Sequence, residues 1–277
     1  MVTGISGGHP FFGAEREPEM PYAKAADGAR IAYQTAGEGF PLLLIAGQSN
    51  NHHWWDGIRD DFHGTHRTIT FDHRGCGDSG KPDIPYSTPG FAEDVIAILD
   101  DLGVERADVY GTSMGGRVAQ WVAARYPDRV RALVLGCTSP GGRHAVERDP
   151  GILPLLADPA TAERTLLDLM YTPAWLATTS GPYRTLGDPA MPPYARRRHL
   201  IASHRHDAWD VLPDIAAPTL VVHGGDDRFN PVENAPLIAE RIPGARLEII
   251  PGARHAYFEE FRSVASPLVS EFLSSVR

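Results

Sequence analysis

Cysteine is scarce in this chain: Cys76 and Cys137 are its only cysteines in 277 residues. Two such residues build no disulfide framework, so the fold must be held by a buried core, and the redox compartment stays open. Long apolar runs are missing as well. No stretch approaches the roughly 20 apolar residues of a membrane helix, and no membrane partner is expected. Met1 to Met20 lacks the cationic start and apolar stretch of a secretory signal, which leaves the cytoplasm as the expected location. Positive charge is in deficit, with 26 Lys and Arg against 35 Asp and Glu. No basic field is available to gather phosphates, and nucleic acid is therefore not an expected partner. Internal repeats and low-complexity tracts are also lacking.

What is present is an ordinary globular composition, 42% hydrophobic and 22% charged, long enough for one large α/β domain with an insertion. Residues 1–20 read as a flexible arm. Asp27-Gly28 is a turn before a strand at Arg30 to Thr35. Leu42 to Ala46 is nearly all apolar, as suits a strand covered on both faces. A polar loop follows, and Trp54 to Phe62 is expected as a short helix. Thr68 to Phe71 is the next strand. Phe91, Val95, Ile98, Leu99 and Leu102 repeat at helical spacing up to Gly103. Ala107 to Tyr110 and Ala132 to Leu135 are further strands, with a helix from Gly116 to Tyr126 between them. This alternation predicts a mostly parallel sheet with helices on both faces.

The rhythm stops after Gly136. Helical fragments at Ala160 to Met170 and Tyr194 to His204 are broken up by prolines, and no convincing strand occurs before about Leu212. The expected organisation is a core over 21–137 and 213–277, with a helical cap over 138–212. Strands return at Thr219 to His223 and Arg246 to Ile250, with helices at Asn234 to Arg241 and Val264 to Val276.

Gly111-Thr112-Ser113-Met114-Gly115 lies between a strand and a helix. In that context Gly-x-Ser-x-Gly holds a serine on a tight turn, its hydroxyl raised above the sheet. A serine needs an imidazole to take its proton and a carboxylate to orient that imidazole. Ligands of open α/β sheets bind beyond the carboxyl ends of the strands, which filters the candidates spatially. Asp226 and Asp227 follow one such strand, and a turn through Gly224-Gly225 aims only one of them; Asp227 is favoured. The end of the strand at Leu135 offers Gly136, Cys137 and Thr138 but no acid. His255 follows the last strand and is favoured as general base over His52, His53, His73 and His223, with His223 read as a packing residue. The oxyanion of a tetrahedral intermediate needs preorganised N–H donors. Those expected are the backbone N–H groups of Met114 and Gln48.

These segments resemble the α/β-hydrolase superfamily from about Tyr22 to Val276. Gly111 to Gly116 matches its nucleophile elbow. Asp72-His73-Arg74-Gly75-Cys76-Gly77-Asp78-Ser79 matches its Asp-x-Arg-Gly-x-Gly-x-Ser turn. His223 to Asp227 with Pro231 matches its acid turn, where family spacing selects Asp227, and Gly252 to His255 matches its histidine loop. Two departures stand out: Arg254 replaces a glycine often found before the histidine, and Ala46 replaces a histidine of the His-Gly pair. The general look is that of 3-oxoadipate enol-lactonase-like proteins and small-molecule esterases or methylesterases. The resemblance implies a serine hydrolase that cleaves a small carboxylic ester or lactone through an acyl-enzyme, with no cofactor. Haloalkane dehalogenases carry aspartate at the elbow, so Ser113 speaks against that reaction. Alternatives on the same fold are a cofactor-free haloperoxidase or perhydrolase, a cyclase or dehydratase, and a ligand-binding receptor with residual hydrolysis.

Substrate contacts are expected from Gly47, Asn50 and His52 beside Gln48, unless those side chains stitch the loop together. Trp175 and Trp209 in the cap offer broad apolar surfaces, although a Pro-broken insert also needs aromatics for its own core. Arg196-Arg197-Arg198 reads as a basic clamp or as solvated surface. His52-His53 and His204-x-His206 do not make metal sites, the former because neighbours on a strand face opposite sides. Besides the substrate, the remaining partner expectation is a second copy in a homodimer.

Overall fold

The computed structural model describes residues 20–276; the N-terminal arm expected over residues 1–20 lies outside them but for Met20. The first half runs β1 (Tyr22–Lys24), β2 (Arg30–Ala36), β3 (Phe40–Ile45), β4 (His66–Phe71), α1 (Thr88–Asp101), β5 (Ala107–Thr112), α2 (Met114–Arg125) and β6 (Val130–Gly136). Four helices follow in the segment expected as a cap, α3 (Ile152–Ala157), α4 (Ala162–Met170), α5 (Pro173–Thr178) and α6 (Pro193–His204). The chain closes with β7 (Thr219–Gly224), α7 (Asn234–Arg241), β8 (Arg246–Ile250), α8 (Tyr257–Glu260) and α9 (Arg262–Ser275). Among the described residues no helix is long and apolar enough to cross a membrane.

The strands form one eight-stranded sheet in the order β1-β2-β4-β3-β5-β6-β7-β8. β1 and β2 are antiparallel to their neighbours, and every pairing from β4 to β8 is parallel. The strand period of two explains the two-sided core. Leu43 and Ile45 join Val109, Leu133 and Val221 under α1, α2 and α7. Leu42 and Leu44 join Tyr110, Val134 and Val222 under α9 on the opposite face. Each fully buried aliphatic side chain contributes roughly 1.5–3 kcal/mol. After β3 the chain turns one way to β4 and then returns to the other side of β3 for β5, which makes the β3/β5 border the point where strand order reverses. A crevice beyond the strand ends is expected there.

One sequence expectation is corrected nearby. The stretch Trp54 to Phe62 is not one helix but two short 3-10 turns, His52–Trp55 and Arg59–Phe62. His52 and His53 therefore sit on a helical turn rather than a strand, with ring centroids 4.1 Å apart.

Three buried histidines are kept neutral. Burial pushes His73 down to about 4 and His199 down to about 3, and holds His206 well below its ordinary value. In the unfolded chain they titrate near ~6.5. The folded state therefore binds fewer protons, and the stability these groups contribute is complete above that value. It is lost as pH falls toward the folded values, with a slope of up to ~1.4 kcal/mol per pH unit for each group. His52 opposes this in part: burial disfavours its charge, but Asp72 outweighs that and raises its pKa. Urea midpoints should fall between about pH 7 and pH 5; a flat profile would contradict the neutral assignments.

Candidate active site

Ser113 follows β5 directly and has φ +56° and ψ −122°, a backbone conformation uncommon outside glycine. Its N–H donates to the Gly136 carbonyl at 2.9 Å, and its own carbonyl accepts the Thr138 hydroxyl at 2.8 Å. The turn closes only because its flanking residues lack a Cβ. At Gly111 such an atom would lie 2.2 Å from the Gly115 carbonyl oxygen, and at Gly115 it would lie 2.0 Å from that of Ile45. Both obstacles are backbone. Gly115→Ala should therefore destabilise the fold by at least about 1–3 kcal/mol, read as a lower urea midpoint. An unchanged midpoint would contradict this close approach of α2 to the end of β3.

The acid turn resolves the choice between neighbours by burial. Asp226 is exposed, whereas Asp227 is buried. Asp227 Oδ1 accepts the Phe229 and Asn230 N–H groups at 2.8 and 2.9 Å. Its Oδ2 accepts His255 Nδ1–H at 2.7 Å. His223 Nε2–H donates to the Asn230 carbonyl at 2.9 Å and lies 3.3 Å from the same Asp227 oxygen. Burial disfavours the Asp227 charge, but the His255 and His223 imidazoles outweigh that and hold the carboxyl well below the usual carboxylate range. With Nδ1 donating, His255 Nε2 is the accepting nitrogen; it is buried and has no hydrogen-bond partner among the described residues. Phe229 packs edge-on to the His255 ring at 4.8 Å.

A chain of hydrogen bonds joins this pair to the serine turn. Asn230 Nδ2 donates to the Cys137 carbonyl at 2.7 Å, and Cys137 is flanked by Gly136 and Thr138, which hold Ser113. Arg254 explains its departure from the family glycine. Its guanidinium donates to Asp168 Oδ1 at 2.8 Å and to the Tyr171 carbonyl at 3.0 Å, which ties the histidine loop to the end of α4.

Met114 is the first residue of α2, and Gln48 lies in the loop after β3. Among the described residues, neither N–H donates to a backbone acceptor outside the helices and strands. The contact of Gly115 with Ile45 and Ala46 brings the positive end of α2 against this loop. The Ala46 carbonyl accepts His73 Nε2–H at 3.1 Å.

The residues expected at the substrate make these contacts within the protein. Gly47 lies under the Trp54 indole, 2.7 Å from where a Cβ would sit. Asn50 donates to the Gln48 carbonyl and accepts the Gly187 N–H, both at 2.9 Å. His52 donates both its N–H and its Nδ1–H to Asp72 Oδ1, at 2.8 and 2.7 Å. Asn50 thus joins the loop after β3 to Gly187, and His52 joins it to the turn after β4. Trp175 stacks on Tyr171 at 4.3 Å within a cap cluster that includes Tyr183. Trp209 is stacked on His144 at 4.1 Å with the Arg241 guanidinium 4.6 Å from its ring, so its place is in packing against α7. Arg196 donates to the Asp188 carbonyl and Arg198 pairs with Asp83, so these two do not form a free basic clamp. Among the described residues, no group of three or more His, Cys, Asp or Glu side chains is arranged to hold a metal ion.

His199, Asp188 and Asn230 were not expected from the sequence; they bond the loops after β3, β4 and β6. No local pattern marks them.

The chain is 32% identical to a 2-hydroxymuconate semialdehyde hydrolase of Pseudomonas putida, over 94% of this chain and 96% of that one. It is 31% identical to a pimeloyl-[acyl-carrier protein] methyl ester esterase of Neisseria meningitidis, over 85% and 77%. Among solved structures it resembles an N-acyl homoserine lactone degrading enzyme with TM-score 0.75 and 30% identity, covering 91% of this chain and all of that one (100%). Residues 41–261 match the family described as alpha/beta hydrolase fold. With the sheet order, the elbow and that match in agreement, the chain belongs to the α/β-hydrolase family.

Proposed function

We propose that this family member is a serine hydrolase that cleaves a carboxylic ester or lactone of a small organic molecule through an acyl-enzyme. Two observations support the reading: His255 has Nδ1 bound to Asp227 at 2.7 Å and a buried, unpartnered Nε2, and Ser113 stands on a strained turn at the end of β5. His255 Nε2 removes the Ser113 proton as Oγ attacks the carbonyl carbon. The N–H groups of Met114 and Gln48 receive the oxyanion, and the imidazolium then returns its proton to the leaving alkoxide. Water, deprotonated by the same nitrogen, releases the acid. In a lactone the leaving alcohol stays attached to the acyl group until that second step. Asp227 stabilises the imidazolium without taking its proton.

The similar methyl ester esterase and lactone-degrading enzyme support this substrate class. The test is a panel of esters and lactones of graded acyl size, run with wild type and Ser113→Ala. Hydrolysis by wild type with a trapped Ser113 acyl adduct is the expected result. Saturable binding without product release would point to a receptor instead.

A further inference from the structure

The loop after β3 owes its shape to the cap. Ser49 has φ +60°, a left-handed conformation that costs a residue with a Cβ. Both of its backbone polar groups are held by cap residues. The Ser49 N–H donates to His199 Nδ1 at 3.2 Å, and the Ser49 carbonyl accepts the Asp188 N–H at 2.7 Å. His199 is itself anchored, since its Nε2–H donates to the Arg74 carbonyl at 2.8 Å. One ring nitrogen donates while the other accepts, which only the neutral Nε2–H tautomer can do. The ring is buried against His73, Tyr86 and Phe91, with centroids 5.9, 5.7 and 5.0 Å away. His73 and Arg196 nearby also disfavour its protonation.

We propose that His199 is a positioning residue for the oxyanion pocket: from cap helix α6, its Nδ1 fixes the Ser49 N–H and thereby the direction of the adjacent Gln48 N–H. This rests on the reading of Gln48 as an oxyanion donor. The Gln48–Ser49 peptide is held at both ends, its N–H by His199 and its carbonyl by Asn50 Nδ2 at 2.9 Å. The preceding carbonyl, Gly47, accepts the Asn50 N–H at 3.3 Å, so the peptide that carries the Gln48 N–H is held as well. Hydrogen bonds weaken steeply with misalignment, so small rotations of this peptide matter. The same helix is tied to the other donor's element: Arg117 of α2 donates to the Ser203 carbonyl and hydroxyl at 2.6 and 2.8 Å. One cap helix thus keeps the Met114 and Gln48 donors in register.

The test compares His199→Phe, which keeps a ring but loses both hydrogen bonds, with His199→Asn, which retains an acceptor near the Nδ1 position. Hydrolysis of para-nitrophenyl acetate by the full chain is followed. An oxyanion donor acts mainly in the transition state, so kcat of His199→Phe should fall by about 10- to 100-fold with KM changed less than about threefold. His199→Asn should recover much of the loss. A folded His199→Phe with wild-type kcat would overturn the proposal, and so would an effect wholly in KM or a His199→Asn no better than His199→Phe. Should His199→Phe not fold, nitrogen NMR of the wild type decides: scalar coupling across the Ser49 N–H to His199 Nδ1 bond supports the role, and its absence overturns it. Full turnover by Ser113→Ala would defeat the proposed function itself. Its loss there, with His199→Phe unaffected, would defeat only the positioning role.

Discussion

Ser113→Ala should lower ester and lactone turnover by about 10^4-fold or more while leaving the fold intact. The expected loss is large because no other group can form the acyl-enzyme, and His255 then has no hydroxyl to activate. Structure should persist because the turn is held by Ser113 backbone groups, its N–H on Gly136 and its carbonyl on Thr138. Alanine keeps both bonds and meets the same positive φ with a Cβ of the same size. Residual activity over water is expected, since the N–H donors remain. Thermal unfolding and turnover measured on one preparation check both halves. Wild-type turnover by the variant would remove Ser113 as nucleophile.

Asp227→Asn should cost about 10^4-fold in kcat, through the imidazole rather than through lost packing. The Phe229 and Asn230 N–H groups both point at Oδ1, so the asparagine oxygen is drawn to that side. Its NH2 then faces His255 Nδ1 and His223 Nε2, where the carboxylate had accepted. A donor against the His255 Nδ1–H favours the other tautomer, with Nε2 protonated and unable to take the serine proton. Asp226→Asn is the matched control. Its side chain is exposed, and its effect should stay within the roughly 0.5 kcal/mol of ordinary surface changes. If Asp226→Asn were the damaging change and Asp227→Asn the silent one, the orienting carboxylate would be misassigned.

Core elements were legible because each writes its own period. Asn234–Arg241 and Arg246–Ile250 fold over the same residues that the pattern marks as helix and strand. The serine turn was legible for a steric reason: Gly111 and Gly115 stand where a Cβ would meet backbone. Short elements were harder. α3 and α5 have only six residues each, too few to show a helical stripe between prolines. The pair of 3-10 turns around Gly57 looked like one helix because their apolar residues, Trp54, Trp55, Ile58 and Phe62, fall at compatible spacing.

Taken alone, the amino-acid order determined the strand–helix alternation, the elbow and the candidates Asp227 and His255, since these depend on local period, turn sterics and position after a strand. Tertiary structure alone decided which side chains were already committed: Asn50 to Gly187, His52 to Asp72, Trp209 to α7, and His199 to Ser49 across 150 residues of chain. Contacts of that kind follow from how layers pack, and packing joins residues whose separation along the chain carries no information about their distance in space.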